Sequence, residues 1–128
     1  MLRPQHLKEL DELVRRVLNS QRYSATAALP DDGPGVYVFT MPTGEVAYVG
    51  RNTSERSWAQ RAHFHTLPSS KNSTLVRQIM SKDEKSAEEA TALIREMSIQ
   101  GMAVNDANTA RELEGYLKRW TKPRYCSD

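Results

Sequence analysis

Two short runs of β-branched and aromatic residues, Val36 to Thr40 and Val46 to Val49, stand either side of Met41-Pro42-Thr43-Gly44. Residues of this kind fit a pleated strand. Pro at the second place and Gly at the fourth is a type I turn pattern. The stretch therefore predicts a β-hairpin. With those four residues as its loop, Thr40 would face Glu45, and Tyr37 would lie opposite Tyr48. Side chains alternate along a strand, so Tyr37, Phe39, Val46 and Tyr48 would share one face. Val36, Val38, Ala47 and Val49 would take the other, which is wholly aliphatic and reads as core. Two phenols side by side on the first face are either a packing pair or a chemical device.

A chain of 128 residues suggests one domain with a modest core. Net charge is only +2 and the pI is 8.8, so any nucleic-acid site must come from local clustering of cations. Cys126 is the only cysteine, which excludes an internal disulfide framework and a cysteine-based zinc site. It suits a reducing, cytoplasmic compartment. No apolar run has membrane-spanning length and no signal-peptide pattern opens the chain, so no membrane partner is expected.

Leu7 to Ser20 reads as an amphipathic helix covering one side of the sheet, with Leu7, Leu10, Val14, Val17 and Leu18 at helical spacing. Dimerisation through a helix from Leu2 to Ser20, giving a homodimer, is the alternative. Thr26 to Pro34 is a linker rich in breakers. After the hairpin, Arg51 to Ser54 reads as turn. Thr53, Ser54 or Ser57 would then cap a helix to about His65, with Trp58, Arg61 and His65 on one face. Leu67 to Asn72 is a loop. Helices are expected at about Ser73 to Met80 and Ser86 to Arg95, and a third strand within Met97 to Asn105. Thr109-Ala110-Arg111-Glu112 has the capping-box form and would open a last helix. That helix would run to about Trp120, with Leu113, Tyr116, Leu117 and Trp120 inward, and Pro123 would end it. The expected fold class is α+β: a small three-stranded sheet flanked by helices.

Tyr37, Tyr48, Arg61, His65 and a late glutamate form a set suited to phosphodiester hydrolysis. A guanidinium grips phosphate oxygens with a planar fork. A histidine or a phenol can take a proton from water. A carboxylate supplies hard oxygen to Mg²⁺. The wording of the chain adds to this. Gly35-Val36-Tyr37, a ten-residue spacer and Tyr48-Val49-Gly50 resembles the signature of the GIY-YIG nuclease superfamily. Arg61 with His65 four residues later is similar to that family's arginine and following histidine or tyrosine. Leu113-Glu114-Gly115-Tyr116-Leu117, then Lys118, Arg119 and Pro123-Arg124-Tyr125, resembles its C-terminal block. The resemblance runs from about Gly35 to Tyr125.

The resemblance implies a nuclease-like domain over residues 34–128, with residues 1–33 as an N-terminal helix and linker packed on it. It implies a metal-dependent DNA endonuclease using one divalent ion, Mg²⁺ or Mn²⁺. Tyr37 would be general base, aided by His65. Tyr48 would orient the water, Arg61 would hold the scissile phosphate, and Glu114 would bind the metal. Arg51, directly after Tyr48-Val49-Gly50, is a candidate second cation. Where the family has Asn after Pro-x-Tyr this chain has Cys126, a poorer hydrogen-bonding group. Ser70, Lys71, Asn72, Arg77, Lys118 and Lys122 are candidate phosphate contacts. The basic residues near the C-terminus equally suit a solvated helix end, and Trp58 is either core or a stacking platform. All five catalytic side chains are expected to converge on one pocket. The competing function is a nuclease-like fold that binds DNA or a protein without cutting.

Overall fold

The computed structural model describes residues 4–29, 33–52, 58–66, 73–104 and 106–125, with the backbone alone for residues 4, 5, 60, 61 and 64. The described order is α1 (Pro4–Leu18), β1 (Tyr23–Ser24), β2 (Gly35–Thr40), β3 (Val46–Asn52), α2 (Trp58–Phe64), α3 (Thr74–Lys82), α4 (Ala87–Arg95), β4 (Ser98–Ala103) and α5 (Ala107–Thr121). The fold is α+β. Its antiparallel sheet has four strands in the order β1-β4-β2-β3, one more than the sequence predicts. The added strand pairs Tyr23 with Ile99 and Ser24 with Ser98. Two residues with a partner so distant in the chain leave no periodicity to read.

The hairpin forms in a different register. The turn closes as expected, with Gly44 N–H donating to the Met41 carbonyl at 2.8 Å. Gly44 then takes φ +95°, a conformation that suits glycine. Met41 pairs with Glu45, leaving a three-residue loop, a type I turn followed by a left-handed residue. A bulge follows: Thr40 pairs with Val46 but Phe39 pairs with Tyr48, leaving Ala47 extra. Tyr37 therefore lies opposite Gly50, not Tyr48. The two tyrosines keep a common face as diagonal neighbours, with ring centroids 6.4 Å apart. Val46 and Ala47 exchange faces relative to the expectation.

Both faces of β2 are buried along its whole length. On the aliphatic face Val36, Val38 and Val49 pack against Leu10, Val14 and Val17 of α1 and Ala110, Leu113 and Leu117 of α5. Thus the apolar stripe of α1 is spent within its own domain, and only Leu7 among its expected inward residues is exposed. Gln100, on the same face, donates from its amide to the carbonyls of Leu18 and Ser20, satisfying acceptors where α1 ends. On the aromatic face Tyr37, Phe39 and Tyr48 meet Trp58 and Ala62 of α2, Leu75 and Ile79 of α3, and Ala90 and Ile94 of α4. Trp58 is core, its ring lying over Gly101, where an added Cβ would stand 2.4 Å from the indole.

Three further expectations change. Arg51 and Asn52 continue β3 instead of turning, because β2 pairs as far as Gly35 with Asn52. Helix α5 opens three residues before the capping-box pattern: Asp106 is its N-cap, accepting from Asn108 N–H at 3.0 Å, and the Thr109 hydroxyl donates to the same carboxylate. Trp120 is 51 % exposed, because Leu113 and Leu117 form the stripe that meets the sheet and Trp120 lies beside Tyr116 at its flank. The caps expected at Thr53, Ser54 or Ser57 lie outside the described residues.

Candidate functional site

The hairpin and the end of α2 bring Tyr37, Tyr48 and His65 together. Tyr37 and His65 are fully buried, and Tyr48 keeps 7 % of its surface. The Tyr37 hydroxyl lies 2.8 Å from His65 Nε2. The His65 ring also stands edge-on to Tyr48, with centroids 5.3 Å apart. Its other nitrogen, Nδ1, hydrogen-bonds Ser73 Oγ. Ser73 is the N-cap of α3, and its Oγ also accepts from Val76 N–H.

The three groups form a buried chain, Tyr37–His65–Ser73, with two proton arrangements. In one, Ser73 donates to Nδ1 and the ring donates from Nε2 to the phenol oxygen. In the other, the phenol donates to Nε2 and the ring donates to Ser73. Passing between them moves a proton along the chain without placing a net charge in the core. Ser73 was absent from the sequence-based site. A serine ahead of a helical run signals a cap, but nothing local indicates that His65 closes on it.

Gly50 explains how the phenol fits. An added Cβ there would lie 2.4 Å from Tyr37 Cζ and 2.5 Å from its oxygen. The hydroxyl thus rests on the backbone of β3, one residue from Arg51. Arg51 itself points the other way. It has the parity of Val49, and its guanidinium meets the Glu114 carboxylate of α5. Lys118, one helical turn beyond Glu114, stands 4.0 Å from the same carboxylate. The Glu114 side chain is 13 % exposed.

The structure thus assembles two groups rather than one pocket. Tyr37, Tyr48, His65 and Ser73 occupy the aromatic face. Arg51, Glu114 and Lys118 come from the aliphatic face. The reason is the apolar stripe of α5, whose Ala110, Leu113 and Leu117 fit only against the valines. The expected convergence of Glu114 with the phenols inside one pocket is corrected accordingly. What the two groups share is the stretch of β3 at Gly50 and Arg51, with the phenol on one side and the ion pair on the other.

The remaining candidates disperse. Arg77 is exposed on the outer side of α3, beside a surface cleft of about 450 Å³ shared with Met80, Ser81 and Lys85. Lys122 caps the C-terminus of α5 in the left-handed conformation and is exposed. The Arg61 side chain, Ser70, Lys71, Asn72 and Cys126 lie outside the described residues.

Tyr125, of the Pro-x-Tyr segment, is buried and donates to Asp83. Burial first, and then that hydrogen bond, push the phenol above its ordinary pKa. The same bond, reinforced by Arg124, holds Asp83 below the usual carboxylate range. Arg124 and Tyr125 also donate their backbone N–H groups to the carbonyls of Val46 and Ala47. This segment is a clasp holding the chain's end to the bulge of β3.

Among the described residues no group of three or more His, Cys, Asp or Glu side chains is arranged to hold a metal ion. Glu114 fits a sparser mode. Mg²⁺ is commonly held by one or two carboxylates, with waters and substrate phosphate completing its shell. Glu114 offers one hard oxygen pair at a partly open position, shared here with Arg51 and Lys118. No helix among the described residues is long and apolar enough to cross a membrane. No family model matches the chain, and no curated protein matches it.

Proposed function

We propose that the protein is a metal-dependent endonuclease that hydrolyses DNA phosphodiester bonds at the β3 stretch around Gly50 and Arg51. The observation that carries this reading is the juxtaposition there of a buried phenol–imidazole–hydroxyl chain and a cation–carboxylate group. The resemblance of three sequence blocks to GIY-YIG nucleases supports it, and so does the α+β fold. A single cysteine suits an intracellular setting.

Burial revises the division of labour expected from sequence. Tyr37 is enclosed and bonded to His65, so it acts as a positioning residue and proton relay. Tyr48 keeps the more open ring and, as the phenolate after releasing its own proton to solvent, takes the proton from the attacking water. Arg51 and Lys118 supply positive charge for the phosphate. Glu114 would hold the divalent ion, which when bound supplies Lewis-acid polarisation of the phosphate. Arg51 must then exchange Glu114 for phosphate oxygens.

The test is cleavage of plasmid DNA with Mg²⁺ or Mn²⁺. Cutting is expected to stop in EDTA and in Glu114→Ala, and to fall by about 10²-fold or more in Tyr48→Phe. If one site uses both faces of β3, Arg51→Ala and Tyr48→Phe combine non-additively in kcat/KM. Full activity in Glu114→Ala would refute the assignment.

A second reading has its own observation. Glu114 is already neutralised by two cations and stands across the sheet from the phenols. An arrangement of this kind suits a fold that binds nucleic acid without cutting it. Salt-sensitive DNA binding with no cleavage in any divalent metal would select it.

A further inference from the structure

We propose that the end of the molecule where α1 and α5 finish is a binding surface for single-stranded DNA, on which Trp120 stacks an unpaired base. The starting observation is that Trp120 is 51 % exposed, the most exposed large hydrophobic side chain among the described residues. Its ring is not loose. Tyr116, one turn earlier on α5, lies 6.3 Å away centroid to centroid at a 39° tilt. The Tyr116 hydroxyl donates to Asp11 of α1 at 2.7 Å. Tyr116 is therefore fixed, and it backs the indole, leaving part of the ring open to water.

The two helices run in the same direction. His6 bonds Glu112, and Asp11 bonds Tyr116, so residues advance together along both. One turn further, Arg15 comes level with Trp120. Arg15 and Arg16 close α1, Arg119 lies in the last turn of α5 and Lys122 caps it, all four exposed. Of the acids on the two helices, Asp11 is engaged by Tyr116 and Glu112 by His6, while Glu12 is exposed on α1 ahead of Arg15 and Arg16.

Basic residues at a helix C-terminus are ordinary compensation of the dipole. That accounts for the cations but not for a backed aromatic ring left among them. Charge complementarity names a polyanion, and the open π-face adds a base, because aromatic platforms inside a positive surface are how single strands are held without sequence preference. The surface is separate from the Glu114 group. Glu114 and Lys118 flank α5 on its β3 side, whereas Tyr116 and Trp120 flank it toward α1. The proposal does not depend on cleavage.

The experiment is a fluorescence titration with an oligo-dT strand, in EDTA so that metal-dependent cutting plays no part. The chain has two tryptophans and Trp58 is fully buried, so quenching by a stacked base reports Trp120. Binding is expected to quench the emission and to weaken with salt. Trp120→Ala should weaken it by about 5- to 150-fold, and Trp120→Phe should recover much of the loss. Arg119→Ala with Lys122→Ala should lower the salt slope by about 1.4. Heparin, a polyanion without bases, should bind without the quench. Oligo-dT binding with no quench, an equal quench by heparin, or wild-type affinity in Trp120→Ala would each overturn the proposal.

Discussion

Gly50→Ala places a methyl group where the Tyr37 phenol lies, and its consequence follows from the geometry. The new carbon would sit 2.4 Å from Cζ, 2.5 Å from the hydroxyl oxygen and 2.8 Å from Cε2. Carbon atoms pack at about 3.5–4.0 Å, so the ring must retreat by more than about 1 Å. It has nowhere to go cheaply. Phe39 meets its edge at a centroid distance of 5.9 Å, and the hydroxyl is held 2.8 Å from His65. His65 is itself tied to Ser73. Overpacking of this kind costs about 1–3 kcal/mol. A buried hydrogen bond stretched out of range leaves two unsatisfied groups and adds about 1–3 kcal/mol. The expected loss is therefore about 2–6 kcal/mol, a large part of the 5–15 kcal/mol typical of a domain. Urea unfolding measures it. Tyr37→Leu removes the ring, so Gly50→Ala should cost at least about 1 kcal/mol less in that background than in the wild type. A Gly50→Ala protein within about 0.5 kcal/mol of wild type, or a strictly additive cycle, would refute the claim that the phenol rests on this glycine.

Ser73→Ala removes both the N-cap of α3 and the partner of His65 Nδ1, and should destabilise by about 2–4 kcal/mol in the same assay. Tyr37→Phe should cost about 1–3 kcal/mol through the orphaned imidazole, so its cleavage rate is to be compared at a denaturant-free temperature where the fold is fully populated. His6 is held above its ordinary pKa, chiefly by the hydrogen bond to Glu112. Its contribution is full below that ordinary value and is lost as pH rises through the raised one; His6→Gln should remove that slope from unfolding midpoints taken across neutral pH. Asp83 is held below its ordinary value, chiefly by the Tyr125 hydroxyl. Its contribution is present above the ordinary carboxylate range and is lost as pH falls through the lowered value, so Asp83→Asn should flatten the acid limb.

What could be read from the chain divides by distance along it. The hairpin, the helices and the third long strand follow from local patterns of two and of 3.6 residues. The bulge does not, because Val46-Ala47 carries no glycine or proline to mark it. Strand β1 does not either, because its two residues are a strand only by virtue of Ile99 and Ser98. The Thr109 to Glu112 pattern was a sound capping signal outranked by Asp106, which reaches the helix first and takes the Thr109 hydroxyl as a donor. Trp120 has the helical phase of an inward residue, but phase alone does not tell the buried stripe of Leu113 and Leu117 from its open flank beside Tyr116. For the site, the meeting of Tyr37, Tyr48 and His65 was legible in the spacing of the motif residues. The partnership of Arg51 with Glu114 was not, since it depends on which face of the sheet α5 covers.

That face is decided by strand parity, and parity limits what a site here can be. Tyr48 and Gly50 point to the aromatic face, and Arg51, the next residue, points to the aliphatic one. A phenol and a guanidinium three residues apart on one strand, as Tyr48 and Arg51 are, therefore cannot line one concave pocket on either face of the sheet. Under the proposed function they could serve one phosphate only from the rim of the sheet, and β3 is one of its two edge strands. The clasp of Arg124 and Tyr125 takes the carbonyls of Val46 and Ala47, at the beginning of that rim. Under the proposed function, a substrate that engages both groups would approach further along, at the half-buried end of β3 where Arg51 meets Glu114. Gly50 is needed there to admit the phenol from beneath the strand that carries Arg51.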